Sequence, residues 1–221
     1  MEIKPIAYFR SPLKEKFGTP RQAGLVQNLT GAVEFCDGFK SEMLDGLEGF
    51  DYIWLIWGFS LNRETEGIPS KVRPPRLGGN KRMGVYATRS PYRPNPLGLS
   101  SVRISRIDAV SGRIDVLGAD LVDGTPIYDI KPYLEYTDSH TDIRSGFAGE
   151  APARLKVRFS VAGQVPGELS SSDLAILEDV LSQDPRPAYH DDSDRVYGLD
   201  YKGKNVRFKV EADTLTVLSI D

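Results

Sequence analysis

Between Lys71 and Ser101 the chain reads KVRPPRLGGNKRMGVYATRSPYRPNPLGLSS, with five prolines and four glycines in 31 residues. Proline fixes φ and removes a backbone donor, and glycine admits turns that other residues resist. Such a stretch is poor material for a core. It is also acid-free: from Lys71 to Ile107 there are nine Lys or Arg and no Asp or Glu, although the whole chain carries a net charge of −3. Two accounts of this block are open. It is either a solvated basic face or a shaped loop that holds an anionic ligand, and charge alone does not separate them.

At 221 residues the chain has room for one large domain, or one domain with a small appendage. Its longest apolar run, near Tyr52–Phe59, is too short to cross a bilayer, and the opening MEIKPIAYFR lacks the apolar core of a signal peptide. A single cysteine, Cys36, cannot form an intramolecular disulfide and suits a reducing compartment. These features lead to the expectation of a cytoplasmic protein without a membrane span.

In chain order, Ile3–Phe9 alternates as a first strand and is followed by a Gly- and Pro-bearing loop, LKEKFGTPRQAGL. Gly31–Phe35 reads as a strand, and Ser41 as the cap of a helical turn. DYIWLIWGFS, Asp51–Ser60, has the continuous apolar character of a buried central strand, with Trp54 and Trp57 as core residues. Gly84–Thr88 is expected to be a barrel strand. Ser100–Ile107 and Arg113–Leu117 form a hairpin across Asp108–Gly112. Asp120–Tyr133 holds a strand, an Asp123-Gly124 turn and a second extended piece. The turn does not by itself require Asp120, Asp129 and Lys131 as well. Many short strands and few helices predict a mainly β protein built on a closed antiparallel barrel.

After Tyr136 the composition changes, and Thr137–Pro152 reads as a linker. Leu155–Val161 is a strand, and Ser170–Leu181 is an amphipathic helix capped by Ser171 or Ser172. A small meander at Tyr197–Leu199, Val206–Val210 and Leu215–Ile220 closes the chain. The expected division is a barrel domain over 1–140 and a small α+β domain over 153–221.

Two histidines, His140 and His190, and one cysteine do not supply a zinc site, so no metal is expected. Both histidines fall in connecting segments, which disfavours a nucleophilic triad. No G-x-G-x-x-G follows a strand. Gly79 and Gly84 have P-loop spacing, but Val85 stands where that motif needs Lys. What remains is chemistry that depends on positioning and charge. Group transfer from an activated cofactor, such as methyl transfer from a sulfonium, fits that description.

Several longer motifs stand in one order: RSP at Arg10, PRQAGL at Pro20, LEGF at Leu47, VRPPRLGGN at Val72, GVYATRSPYRPNPLGLS at Gly84 and DLVDGTPIYDIKPYL at Asp120, with DPRPAY at Asp184. With them the chain resembles the TsaA-like (TrmO) family of tRNA methyltransferases. The resemblance implies a barrel unlike the Rossmann methyltransferases, a homodimer, and S-adenosylmethionine as cofactor. It further implies tRNA as partner and N6 of threonylcarbamoyladenosine 37, beside the anticodon, as methyl acceptor. Carried over, the family's cofactor contacts fall on Ala23, Gly24, Leu25, Arg89, Leu99, Asp123, Gly124, Thr125 and Pro126. Ser60 and Leu61 occupy the position of a His-Gln pair in the family, and Ala23 that of a proline.

On this basis Asp123, Asp129, Tyr128 and Lys131 are the candidates for base or orientation, and Arg73, Arg76, Lys81, Arg93 and Asn95 for tRNA contact. Asp184, Arg186 and Tyr189 of the appended domain are expected to help orient tRNA. The competing class is a non-catalytic RNA-binding module that uses the same basic loop. Retention of both PRQAGL and DGTP speaks against it.

Overall fold

The computed structural model describes residues 2–62, 67–77, 80–160, 167–187 and 192–221, with the side chain of Arg76 outside that set. Short extended segments follow one another from the start: β1 (Ala7–Arg10), β2 (Thr30–Phe35) and β3 (Tyr52–Gly58). A small ribbon of β4 (Lys71–Val72) and β5 (Met83–Gly84) comes next, then β6 (Leu97–Asp108), β7 (Arg113–Leu117) and β8 (Pro126–Pro132). All but the ribbon close into an antiparallel barrel in the order β1-β2-β7-β6-β3-β8.

The two-residue period of a strand decides what fills the barrel. It sends Phe9, Val33, Ile53, Leu55, Ile114 and Ile127 inward, all essentially without exposure. β3 pairs with β6 on one side and β8 on the other, which is the central place its apolar run demands. Its two tryptophans part ways. Trp57 enters the core, whereas Trp54 faces outward and its indole N–H donates to Asp138 at 2.8 Å. Asp138 sits in a single helical turn, α1 (Glu135–Asp138), inside the stretch expected to be linker.

Gly84–Thr88 is not a barrel strand. Pairing in the ribbon ends at Lys71 opposite Gly84, and Val85–Ala87 turns into a 3₁₀ helix. The Thr88 hydroxyl locks that turn by donating to the Val85 carbonyl at 2.8 Å. Past Gly84 the segment pairs with no strand, so the ladder does not continue.

Beyond the barrel, β9 (Lys156–Phe159), α2 (Ser171–Ser182), β10 (Tyr197–Tyr201), β11 (Lys204–Glu211) and β12 (Thr214–Ile220) form a second unit. Its sheet runs β10-β11-β12-β9, with the meander antiparallel and β9 parallel to β12. The cap of α2 is Ser170 rather than Ser171 or Ser172. Its hydroxyl accepts from the Asp173 amide at 3.1 Å while the Asp173 carboxylate accepts from the Ser170 amide at 3.0 Å. Only Ser170 has an acid three residues on at which to close this box. At Ser41 no side-chain cap forms, and Ser41–Leu44 is one 3₁₀ turn.

Among the described residues there are two hydrophobic clusters. One fills the barrel; the other joins α2 and the second sheet through Leu177, Leu181, Tyr201 and Phe208. The second cluster also contains Leu13, Val26 and Leu29, which belong by sequence to the loop between β1 and β2. Burying each such side chain is worth about 2 kcal/mol. That loop is a shared element of both units.

Trp57 is seated by Gly98, its cross-strand partner: a Cβ built there would lie 2.2 Å from the indole ring. Gly98→Ala is therefore expected to destabilise the protein by about 1–3 kcal/mol and to shift tryptophan emission. Urea unfolding followed by fluorescence checks both, and an unchanged midpoint would contradict this packing.

Candidate active site

One mouth of the barrel gathers three chain segments that are far apart in sequence. Gly24 donates its amide to the Gly118 carbonyl at 2.8 Å. Both glycines have left-handed φ, +80° and +81°, and a Cβ on Gly118 would lie 3.7 Å from the Gly24 backbone. The loop 20–25 is thereby laid against the turn that follows β7. Arg89 reaches the same loop, its guanidinium donating to the Gln22 side chain.

Asp120 holds this arrangement together. The Trp57 indole N–H donates to the Ser100 hydroxyl at 3.0 Å, and that hydroxyl donates to Asp120 at 2.6 Å. Asp120 also accepts from the Ala23 amide and feels the charge of Arg89. Burial pushes its carboxyl above the ordinary carboxylate range, and the hydrogen bonds from Ser100 and Ala23, with Arg89, oppose the rise without cancelling it. The sequence marked Asp120 as one acid too many for the turn but gave no sign of Ser100 or Gln22. Those partners are set by strand register and loop path.

The turn Asp123–Pro126 is clamped to the end of β1. Asp123 and Gly124 donate their amides to the carbonyls of Leu13 and Phe9 at 2.9 and 2.8 Å, and Thr125 donates to Val122 at 3.3 Å. Pro126 has no amide to give. The sequence suggests backbone donors for a ligand here, yet the fold consumes them all. The turn instead offers acceptors, chiefly the partly buried Asp123 carboxylate, one oxygen of which takes the Ser11 amide at 3.1 Å. Gly24 and Gly124, at φ +80° and +75°, have nothing within 4 Å of where a Cβ would stand. Both backbones thus border open space.

Ser60 and Leu61 are exposed just past β3. Their neighbours tie them to this mouth: Phe59 donates its amide to Pro96 at 3.3 Å, and Lys16 of the shared loop donates to the Asn62 side chain. Leu99 lies elsewhere. With Lys131, Trp54, Ile56 and His140 it lines an open cavity of about 370 Å³ on the outer face of β3, β6 and β8. Lys131 is paired with Asp129 at 3.2 Å on the exposed surface. Tyr128 sits at the register shift between β3 and β8, against Gly58, where a Cβ would lie 2.7 Å from its ring.

Of the basic candidates, Arg73 and Lys81 are exposed, as is Asn95. Arg93 is half-buried and its guanidinium donates to the Thr88 carbonyl at 3.2 Å, so it braces the loop. The Arg76 side chain, Gly78 and Gly79, His190 and Tyr189 lie outside the described residues. Asp184 and Arg186 are joined by two hydrogen bonds of 2.8 and 2.9 Å. Among the described residues no group of three or more His, Cys, Asp and Glu is placed to hold a metal ion.

Family models match nearly the whole chain: the tRNA-methyltransferase O N-terminal domain over residues 8–139 and the TrmO C-terminal domain over 152–221. The chain belongs to the tRNA-methyltransferase O family. An Escherichia coli relative named tRNA (adenine(37)-N6)-methyltransferase is 37% identical over 233 residues, covering all of this chain and 97% of that one. A Pseudomonas aeruginosa relative named as a putative S-adenosylmethionine-dependent methyltransferase, RcsF, is 42% identical over 205 residues, or 89% of this chain and 87% of that protein. The crystal structure of TrmO from Pseudomonas aeruginosa superimposes with a TM-score of 0.81 at 32% identity, covering 100% of this chain and 98% of that one.

Within the tRNA-methyltransferase O fold, the Trp57–Ser100–Asp120 chain connects barrel core to loop 20–25. Because the Asp120 pKa is raised, its contribution to stability falls as pH climbs from the ordinary carboxylate range through the elevated value. Asp120→Asn should remove that loss, leaving neutral-pH stability equal or higher, while loosening the loop held by Ala23 and Arg89. Thermal unfolding against pH is expected to show a flatter profile for the variant than for the parent.

Proposed function

We propose that the chain methylates N6 of adenosine 37 in tRNA, with S-adenosylmethionine as donor and the threonylcarbamoyl-modified nucleoside as acceptor. The observation that carries this is the convergence of Gly24, Arg89 and the Asp123–Pro126 turn at one barrel mouth, beside the acid-free segment. The relatives' names supply the reaction, and the mouth supplies groups that suit its donor. When bound, S-adenosylmethionine would supply an electrophilic methyl group on a sulfonium, with the neutral thioether as leaving group.

This chain's residues then have separable tasks. Gly24 and Gly124 keep side chains out of the open space beside them, so that a ligand approaches the backbone. Asp123 accepts from ligand hydroxyl or ammonium groups, the turn's own amides being spent. Arg89 faces an anionic group, Ala23, Leu25 and Pro126 shape the wall, and the buried Thr125 holds the turn behind it, its hydroxyl donating to the Val122 carbonyl. Ser60 and Leu61 border the mouth with short side chains in place of a His-Gln pair. Asp129, Lys131 and Tyr128 are assigned to the acceptor, Asp129 beside Lys131 orienting it or taking its proton, and Leu99 is kept as a cofactor contact reached from the neighbouring outer face.

Arg73, Arg76, Lys81 and Asn95 are assigned to the tRNA, with Arg93 holding their loop in shape. We assign the protein to the cytoplasm; no helix among the described residues is long and apolar enough to cross a membrane. The protein is further assigned as a homodimer, with the exposed Leu97 and Leu99 of β6 as its candidate contact.

Calorimetry should show S-adenosylmethionine binding to the parent and at least about tenfold weaker binding to Asp123→Ala, which loses a hydrogen-bonded charge. Mass spectrometry of tRNA nucleosides after reaction should show the methylated product with the parent alone. Tight tRNA binding without any cofactor binding would instead identify an RNA clamp. For Arg73→Ala and Lys81→Ala, the slope of log K against log salt for tRNA should fall by about 1 each, with cofactor affinity unchanged.

A further inference from the structure

The loop that carries Pro20–Leu25 is anchored from the wrong side for a purely barrel-built site. Its apolar residues Leu13, Val26 and Leu29 are buried in the core of the C-terminal unit, and Phe17 stacks on Tyr197 and Phe208 at 6.2 and 6.3 Å between centroids. Leu199 fills the space where Gly18 would carry a Cβ, 2.1 Å away. Polar ties repeat the pattern. Lys202 donates its amide to the Pro12 carbonyl at 3.0 Å, and Arg21 donates to the Arg186 carbonyl at 3.3 Å. Arg154, in the segment entering β9, donates to the Leu25 carbonyl at 2.8 Å and pairs with Asp179 on α2.

We infer that the C-terminal unit positions the cofactor-binding loop, with Arg154 as the positioning residue that fixes its far end. This rests on the assignment of loop 20–25 to S-adenosylmethionine. The loop meets the barrel through Gly24 on Gly118 and Ala23 on Asp120, then passes directly into Leu25, whose carbonyl is held by the other unit. The two attachments fall on consecutive residues, so a shift of the C-terminal unit is felt at Gly24 with no flexible chain to absorb it. The guanidinium suits the task because its planar donors satisfy a carbonyl and a carboxylate at once. Arg186, held by Asp184, presents its carbonyl to Arg21 and gives the DPRP motif a place in the same support. The C-terminal unit therefore contributes to donor affinity as well as to any tRNA contact.

The test compares the parent full-length chain with Arg154→Ala and Arg154→Lys. The Arg154 side chain is 53% exposed, so both variants should unfold within a few degrees of the parent. Arg154→Ala should raise the dissociation constant and the KM for S-adenosylmethionine about fivefold, with kcat at saturating donor and KM for tRNA within twofold of the parent. Arg154→Lys, which keeps one charged donor, should fall between them. Equal donor affinity in parent and Arg154→Ala, or a defect confined to KM for tRNA, would overturn the inference while leaving the cofactor assignment standing. Failure of the parent itself to bind the donor would overturn both.

Discussion

The loop between β1 and β2 is the constraint on which the rest of this molecule depends. Its ends continue the barrel, its apolar residues complete the core of the second unit, and its tip lies against the barrel mouth at Gly118. Leu13, Val26 and Leu29 must be buried, and the barrel interior is already filled by its own strands. The path of the loop is set by contacts with both units. Irregular backbone of this length otherwise costs conformational entropy that surface contacts do not return.

At the barrel mouth the same logic runs through polar groups. The buried Trp57 orients Ser100, Ser100 orients Asp120, and Asp120 takes the amide of Ala23. A carboxyl raised by burial is costly to keep, and a satisfied network around it is what makes it tolerable. Donors on the Asp123–Pro126 turn are spent on Phe9 of β1, on Leu13 of the following loop and on Val122. The site therefore presents acceptors from the turn and a cation from Arg89. That polarity suits a ligand bearing both donors and a carboxylate, as the S-adenosylmethionine named for the relatives does.

Much was legible before any coordinates. Alternation in Arg113–Leu117 and the meander after Tyr197 gave strands where strands are found, since a two-residue period with one buried face leaves little choice. The continuous run at Asp51–Ser60 is central as expected, but it predicts both indoles in the core and only Trp57 is there, because a fully apolar run has no phase. Gly84–Thr88 failed for a related reason: a strand is defined by its partner, and its partners are set by distant chain. The capping residue of α2 was misplaced by one because three serines stand together and only Asp173 selects among them.

By itself the sequence determined the barrel-forming pattern, the acid-free Pro/Gly/Arg segment and the ordered motifs that mark the family. Those are properties of local spacing and composition. Only the tertiary structure decided that Lys71–Leu99 divides among a ribbon, a 3₁₀ turn, a braced loop and the start of β6, and that Leu99 faces away from the mouth where Gly24 and Asp123 lie. It also decided that the C-terminal unit grips the loop at Leu25. Contacts across 129 residues arise from how two cores share one segment, and no local pattern encodes that sharing.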